Sequence, residues 1–186
     1  MSKTCWSCLG KVLKTDFFCP KCRNIQENVI IEVFDIFGIE KSIIINEDEL
    51  EESYLKLQKI FHPDKFLNLT DKEKKISNVY SSKINELYKS LKNNTKRIDL
   101  ILEKEGHKIK EIQDTYKNSE ILEEIMDIQE EFMLAGDNNK NLVKKKIKKL
   151  IHNILIDTEK LYKNKSYDLV SKNNIKLSYL EKILKS

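Results

Sequence analysis

This sequence predicts a mainly α-helical chain with a small metal-binding module at its N-terminus, on three observations. All four cysteines fall at positions 5, 8, 19 and 22. Only four glycines and two prolines interrupt 186 residues. Long stretches rich in Lys, Glu, Leu and Ile carry apolar residues at three- and four-residue spacing, the period of one helix face. Hydrophobic residues make up 40% and charged residues 34%, a composition expected of a soluble chain. No apolar run approaches the roughly 18 residues that would suggest a membrane span. The length fits one or two domains.

Residues 1–28 read as the metal module. Cys5-x-x-Cys8 and Cys19-x-x-Cys22 are separated by ten residues, the spacing at which two knuckles turn four sulfurs toward one tetrahedral ion. Two disulfides or four unrelated thiols are the competing readings. Disulfides would suit a small secreted protein, but no secretory apolar stretch precedes Cys5 and no cysteine follows Cys22. One structural ion is therefore expected, zinc ahead of iron. No His, Asp or Glu sits where an open catalytic coordination position would need it. Phe17 and Phe18, with Trp6, are expected to supply the little apolar packing of the module.

Residues 29–105 read as helical with one sharp break. Asn46-Glu-Asp-Glu49 fits a capping box and opens a helix that buries Leu50, Tyr54, Leu57 and Phe61. Its acidic start suits the macrodipole. His62-Pro63 stops it, because proline lacks a donor and pushes the preceding residue out of helical geometry. Thr70-Asp-Lys-Glu73 is a second capping box, and the helix after it carries Ile76, Val79 or Tyr80, Ile84, Leu87 and Leu91. Two helices of similar length joined by a loop of about eight residues form an antiparallel hairpin. A shorter helix around Ile98, Ile101 and Leu102 ends at Gly106. Residues 106–116 read as a connector. The segment 117–186 then reads as three helices at roughly 117–135, 139–163 and 166–185, with Ser166 as an N-cap, forming an up-down-up bundle.

Net charge is +4, with 34 basic residues opposed by 30 acidic ones. The two signs are interspersed along helices, which argues against nucleic acid as a partner. The clusters Lys144-Lys145-Lys146 and Lys148-Lys149 read as a solvated helix face. A nucleic-acid binder built on the Cys₄ module and an iron-holding redox protein remain the other function classes. The first would need a one-sided basic patch with aromatic platforms, the second a visible absorbance.

His62-Pro63-Asp64 lies in the loop of the hairpin. As a general-base pair it lacks any nucleophile or second acid in a motif beside it. As a bland loop it merely ends a helix. As a docking loop it presents an imidazole and a carboxylate beside a rigid proline, the carboxylate suited to a partner arginine. Tyr54-x-x-Leu57, then His62-Pro63-Asp64-Lys65-Phe66, then Ile84-Asn85-Glu86-Leu87-Tyr88 resembles a J-domain, the module that stimulates ATP hydrolysis by DnaK-type (70-kDa heat-shock) chaperones. Phe34-Asp-Ile-Phe37-Gly38 is similar to the J-domain opening, with Glu32-Val33 where that opening usually has Asp-Tyr. Arg97-Ile-Asp-Leu-Ile-Leu-Glu-Lys-Glu-Gly106, the small C-terminal three-helix domain and the N-terminal Cys₄ module narrow the resemblance to the HscB (Jac-type) co-chaperones of iron–sulfur cluster assembly. Cys5-Trp6-x-Cys8 and Phe17-Phe18-Cys19-Pro20-x-Cys22 are similar to the metal module of eukaryotic members.

The resemblance implies a co-chaperone with no enzymatic activity of its own. It implies that His62, Pro63 and Asp64, with Lys56, Lys59 and Lys65 on the basic helix face, meet the chaperone. On the helix from Lys117, Ile121, Ile125, Ile128 and Phe132 form a core arc. Leu122, Met126 and Met133 form a second stripe, flanked by Asp127 and Glu130. Periodicity leaves two readings of that stripe, a partner surface or the second face of a helix wedged between two others. The resemblance implies the first, with Leu122, Met126, Asp127, Glu130 and Tyr179 binding an IscU-type scaffold. Tyr179 lies off the core stripe Val170, Leu177, Leu180 and Leu184. Glu123 stands where the family has an apolar residue and Leu134 where it has an acidic one, so the resemblance leaves open whether either contributes to scaffold binding. His107 and His152 read as ordinary. No Arg-rich amphipathic presequence precedes Cys5. The family implies a mitochondrion or a mitochondrion-derived organelle, with cytoplasm as the alternative, and no membrane partner.

Overall fold

The structure, a computed structural model, describes residues 2–30, 32–107 and 119–186, with backbone alone at 119–122 and 137–138. The expected connector 106–116 lies mostly outside the described residues. Strands β1 (Ser2–Thr4) and β2 (Lys11–Leu13) pair antiparallel with Lys3 opposite Val12. The helices are α1 (Val33–Phe37), α2 (Glu47–Phe61), α3 (Asp71–Lys92), α4 (Asn94–Lys104), α5 (Ser119–Leu134), α6 (Asp137–Lys163) and α7 (Tyr167–Lys185), with a 3₁₀ turn at Pro63–Phe66. None of the described helices is long and apolar enough to cross a membrane.

The chain divides into two compact units, Met1–Glu40 with Ile45–Lys92, and Lys41–Ile44 with Asn93–Ser186. These divide the chain differently from the sequence boundaries at 28/29 and 105/106. The metal module shares a unit with the α2–α3 hairpin. Helix α4 and the strap 41–44 belong with the C-terminal helices. A short polar module and a four-residue strap carry no periodicity, so nothing local in the sequence says what they pack on.

In the first unit both expected N-caps form, and the one at Thr70 is a full capping box. Asn46 Oδ1 accepts from the N–H groups of Asp48 at 3.1 Å and Glu49 at 3.4 Å, opening α2. Thr70 Oγ1 accepts from Glu73 N–H at 3.3 Å while Glu73 Oε2 accepts from Thr70 N–H at 3.1 Å, opening α3 reciprocally. The hairpin core holds Leu50, Phe61, Ile76, Ile84 and Leu91, while Tyr54 and Leu57 are half-buried. Val79 is 64% exposed, and Tyr80 takes the inward place beside it. Toward the N-terminal end of α2, the Tyr54 and Tyr88 rings stack at 4.0 Å, and the Tyr88 hydroxyl donates to Glu51.

In the second unit α4 ends in a Schellman motif. His107 N–H reaches Leu102 C=O at 2.9 Å and Gly106 N–H reaches Glu103 C=O at 3.1 Å, with Gly106 at φ +82°. The turn between α6 and α7 repeats these bonds with Lys165 in the left-handed place, at φ +58°. Ser166 precedes α7 as expected but makes no side-chain cap bond. Buried Arg97 and half-buried Glu159 hold the strap. Arg97 Nε donates to Ile43 C=O at 2.8 Å, and Glu159 Oε2 accepts from Ser42 Oγ at 3.0 Å and Ile43 N–H at 2.8 Å. Ile125, Phe132, Val170, Leu177 and Leu180 are buried as expected. Ile128 and Leu184 are only half-buried, Ile183 taking the inward place at the end of α7.

Asp99 on α4 accepts from Asn174 Nδ2 of α7, and burial pushes its carboxyl up to about 6 against that favourable bond. A folded-state value above the usual carboxylate range means this group favours folding below about pH 4, a contribution lost as pH rises through about 6. Asp99→Asn is therefore expected to raise the stability of the second unit above pH 6 by on the order of 1 kcal/mol after solvent screening. The difference from wild type should vanish near pH 4 in thermal melts.

Candidate functional site

The metal module repeats one backbone knuckle at a 14-residue offset. Cys5 N–H reaches Gly10 C=O at 2.8 Å and Leu9 N–H returns to Cys5 C=O at 3.1 Å. Cys19 N–H reaches Asn24 C=O at 3.0 Å and Arg23 N–H returns to Cys19 C=O at 2.9 Å. Leu9 and Arg23 both hold left-handed backbone, at φ +60° and +66°, a conformation no residue type at those positions announced. Gly10 is required for a different reason, since a Cβ there would lie 3.3 Å from Cys8 Sγ.

The result brings all four sulfurs within 4.8 Å of one another. Cys5 Sγ lies 3.7 Å from Cys22 Sγ, and Cys8 Sγ lies 3.6 Å from Cys19 Sγ. A disulfide needs about 2.05 Å, so the disulfide reading fails. Thiolates about 2.3 Å from a tetrahedral ion stand about 3.8 Å apart, and the cluster fits that spacing. Burial opposes ionisation of Cys5, but N–H donors from Cys8 and Ser7 and the neighbouring thiols outweigh it and lower the thiol to about 6. Cys19 is lowered chiefly by the Cys22 N–H. The Asn24 N–H favours the Cys22 thiolate, yet burial and the sulfurs of Cys8, Cys19 and Cys5 push that thiol up to about 12. Four thiolates this close repel unless a cation sits among them, which is the chemistry of a closed structural site.

The expectation that Phe17 and Phe18 pack the module itself is corrected. Its own core cluster is Cys5, Val12 and Cys19 with Cys8 and Cys22 against them, and Ile25 and Gln26 are buried as well. The two rings point instead at the hairpin. Phe17 meets Phe61 edge-on at 4.8 Å and Tyr80 at 5.3 Å, and Phe18 stacks on Phe61 at 5.8 Å. Trp6 spends its indole N–H on Ile25 C=O at 2.7 Å. Sequence spacing gave no sign of this docking, because two adjacent aromatics in a small module read first as its own core.

His62-Pro63-Asp64 stands where α2 stops. His62 is extended at ψ 129°, and its Nδ1 accepts from Asp64 N–H at 3.3 Å. Asp64 Oδ2 is 3.5 Å from the same nitrogen. Both side chains are exposed, as are Lys56, Lys59 and Lys65, while Phe66 is buried beneath the turn. Lys56 pairs with Glu52 at 2.8 Å.

On α5, Met126 is 65% and Met133 69% exposed, and Asp127 and Glu130 are exposed. Glu123 and Leu134 are exposed too. The Leu122 side chain lies outside the described residues. Tyr179 on α7 is half-buried, with Lys182 Nζ 5.2 Å from its ring centroid. His107 packs its ring on Tyr167 at 4.5 Å, and His152 is exposed.

Residues 117–186 match the family model described as the HSCB C-terminal oligomerisation domain. The chain is 33% identical over 135 residues to the iron–sulfur cluster co-chaperone protein HscB homolog of Arabidopsis thaliana, covering 72% of this chain and 52% of that protein. It is 30% identical over 159 residues to the human iron–sulfur cluster co-chaperone protein HscB, covering 81% of this chain and 68% of that protein. The chain belongs to the HscB co-chaperone family. It spans about half the length of the Arabidopsis relative. Its fold is similar to the crystal structure of human HscB with a TM-score of 0.88 at 24% identity, over 98% of this chain and 95% of that one.

In this HscB-family chain, metal analysis of the intact protein is expected to give about one ion per chain. A thiol reagent should find no reactive cysteine until a strong chelator is added, and four afterwards. A metal-free protein with a folded N-terminus would count against the site.

Proposed function

We propose that this chain is a J-type co-chaperone that holds an IscU-type iron–sulfur scaffold on its C-terminal helices. Through the His62-Pro63-Asp64 turn it presents that scaffold to a DnaK-type chaperone and stimulates its ATPase. The observation that carries this reading is the turn itself. It is an exposed imidazole and carboxylate set by a proline, at the end of a helix that also exposes Lys56 and Lys59. No nucleophile accompanies them, so the chemistry the turn supports is recognition, with ATP turned over by the partner. Asp64 is suited to a partner guanidinium, and the lysines to an acidic rim. Function then comes from coupling two binding events.

The ion we assign to the Cys₄ site is zinc, because four thiolates close its coordination shell and leave no position for substrate. The scaffold surface we assign to Leu122, Met126, Asp127, Glu130 and Tyr179. The exposure of Met126 between two acidic neighbours supports that assignment, since an adaptable apolar anchor with a charged rim is how such a patch binds. We assign the work to a mitochondrion or a mitochondrion-derived organelle, a reading that the family resemblance supports.

His62→Gln or Asp64→Asn in the full chain is expected to abolish stimulation in single-turnover ATPase assays. Exposed positions of this kind change stability by less than about 0.5 kcal/mol, so helicity and melting should match wild type. Equal stimulation by wild type and both variants would remove the reading.

Leu122→Ala with Met126→Ala is expected to weaken scaffold binding more than about tenfold in calorimetric titration, while scaffold-independent ATPase stimulation stays intact. Unchanged affinity would remove the scaffold assignment and leave the chaperone assignment standing.

A further inference from the structure

Two links run from the sulfur cluster to the residue before His62, all within the first unit. Gln26 is buried, and its Nε2 donates to Cys5 Sγ at 3.4 Å and to Asn24 C=O at 2.8 Å. The same residue's C=O accepts the Tyr80 hydroxyl of α3 at 2.6 Å, and its N–H donates to Phe17 C=O at 2.7 Å. The Tyr80 hydroxyl also accepts from Val29 N–H at 3.3 Å. The second link is aromatic. Phe61, the last residue of α2, is packed by the rings of Phe17, Phe18 and Tyr80. Its C=O accepts Ser77 Oγ of α3 at 2.9 Å. Two of those three rings belong to the metal module.

We propose that Phe17 and Gln26 are positioning residues for the docking turn, so that metal occupancy and chaperone stimulation are thermodynamically linked. The proposal rests on the reading of the turn as the chaperone contact. Its physical basis is the size of the module. With a core cluster of Cys5, Val12 and Cys19 and only Ile25 and Gln26 buried besides, it has too little apolar core to keep its shape once the sulfurs lose their ion. Loss of that shape withdraws Phe17 and Phe18 from Phe61 and leaves the last turn of α2 held from one side only. The direction of the His62 side chain is set by that turn, because its backbone follows Phe61 directly. Linkage is reciprocal, so disturbing the aromatic bridge must weaken the metal although no ligand is touched.

The test uses the full chain, loaded with zinc or stripped by a chelator. Hydrogen exchange over residues 58–66 is expected to run about fivefold faster in the stripped protein, with α6 and α7 alike in both. Phe17→Leu is expected to bind zinc about fivefold more weakly in competition with a chromophoric chelator. It should also lower maximal ATPase stimulation without moving the half-maximal concentration. Phe17→Tyr, which keeps the ring, should restore both. Gln26→Leu removes the N–H donor to Cys5 and is expected to weaken zinc about tenfold, which carries the test if Phe17→Leu does not fold. Unchanged exchange on stripping overturns the proposal, as does wild-type zinc affinity in folded Phe17→Leu. The exchange and affinity arms need no chaperone. A chain that shows both effects but stimulates no ATPase would support the link and overturn the co-chaperone reading instead.

Discussion

Pro63 cannot donate a backbone hydrogen bond and forces His62 into extended geometry, and much of the first unit is arranged around that enforced stop. A helix ended by proline leaves carbonyls without intrahelical partners. Here the Phe61 carbonyl is taken up by Ser77 of the facing helix, which fixes how α2 and α3 sit against each other at the loop end. The Phe61 ring, pointing inward at the same place, collects Phe17, Phe18 and Tyr80. The residues that follow have no inward role until Phe66, so His62 and Asp64 are left outside. One proline thus leaves a buried aromatic anchor followed at once by the exposed His62 and Asp64 that flank Pro63.

The metal module solves a different problem. Its chain is too short to bury a core, and its two knuckles each hold a non-glycine residue in left-handed backbone, a strained state that persists only where the surroundings impose it. Four sulfurs gathered within 4.8 Å are unfavourable as thiolates and favourable as ligands. A cation bound there would supply the free energy that so small a core does not. Gln26, reaching Cys5 with its amide and Tyr80 with its carbonyl, joins this small metal-held fold to the hairpin.

The second unit relies on polar clamps that are buried or half-buried. Glu159 and Arg97 take the backbone groups of the strap 41–44, which has no strand or helix to satisfy them. Asp99 shares Asn174 with the Thr95 carbonyl, and Asn174 Oδ1 has no partner among the described residues. Helix α5 carries six acidic residues and no basic one. Its ties to α6 and α7 include Lys146 with Glu131 and Lys176 with Glu124, leaving Met126 and Met133 outside. Among the described residues this leaves Met126 and Met133 exposed beside Asp127 and Glu130, as the proposed scaffold contact requires.

The sequence by itself determined what depends on neighbours along the chain. The caps at Asn46 and Thr70, the stop at Pro63, the left-handed Gly106 and the cysteine spacing are all local, and each is a short-range steric or hydrogen-bonding requirement. So are the helix faces, since a 3.6-residue period is written in the chain. The tertiary structure alone decided what those faces meet. It turned Phe17 and Phe18 from the module to the hairpin and chose Tyr80 over Val79 as the inward residue. It gave the strap 41–44 to the C-terminal helices. Adjacent aromatics and a four-residue strap have no period to read. Their partners lie tens of residues away, and only packing, which compares all available surfaces at once, selects among them.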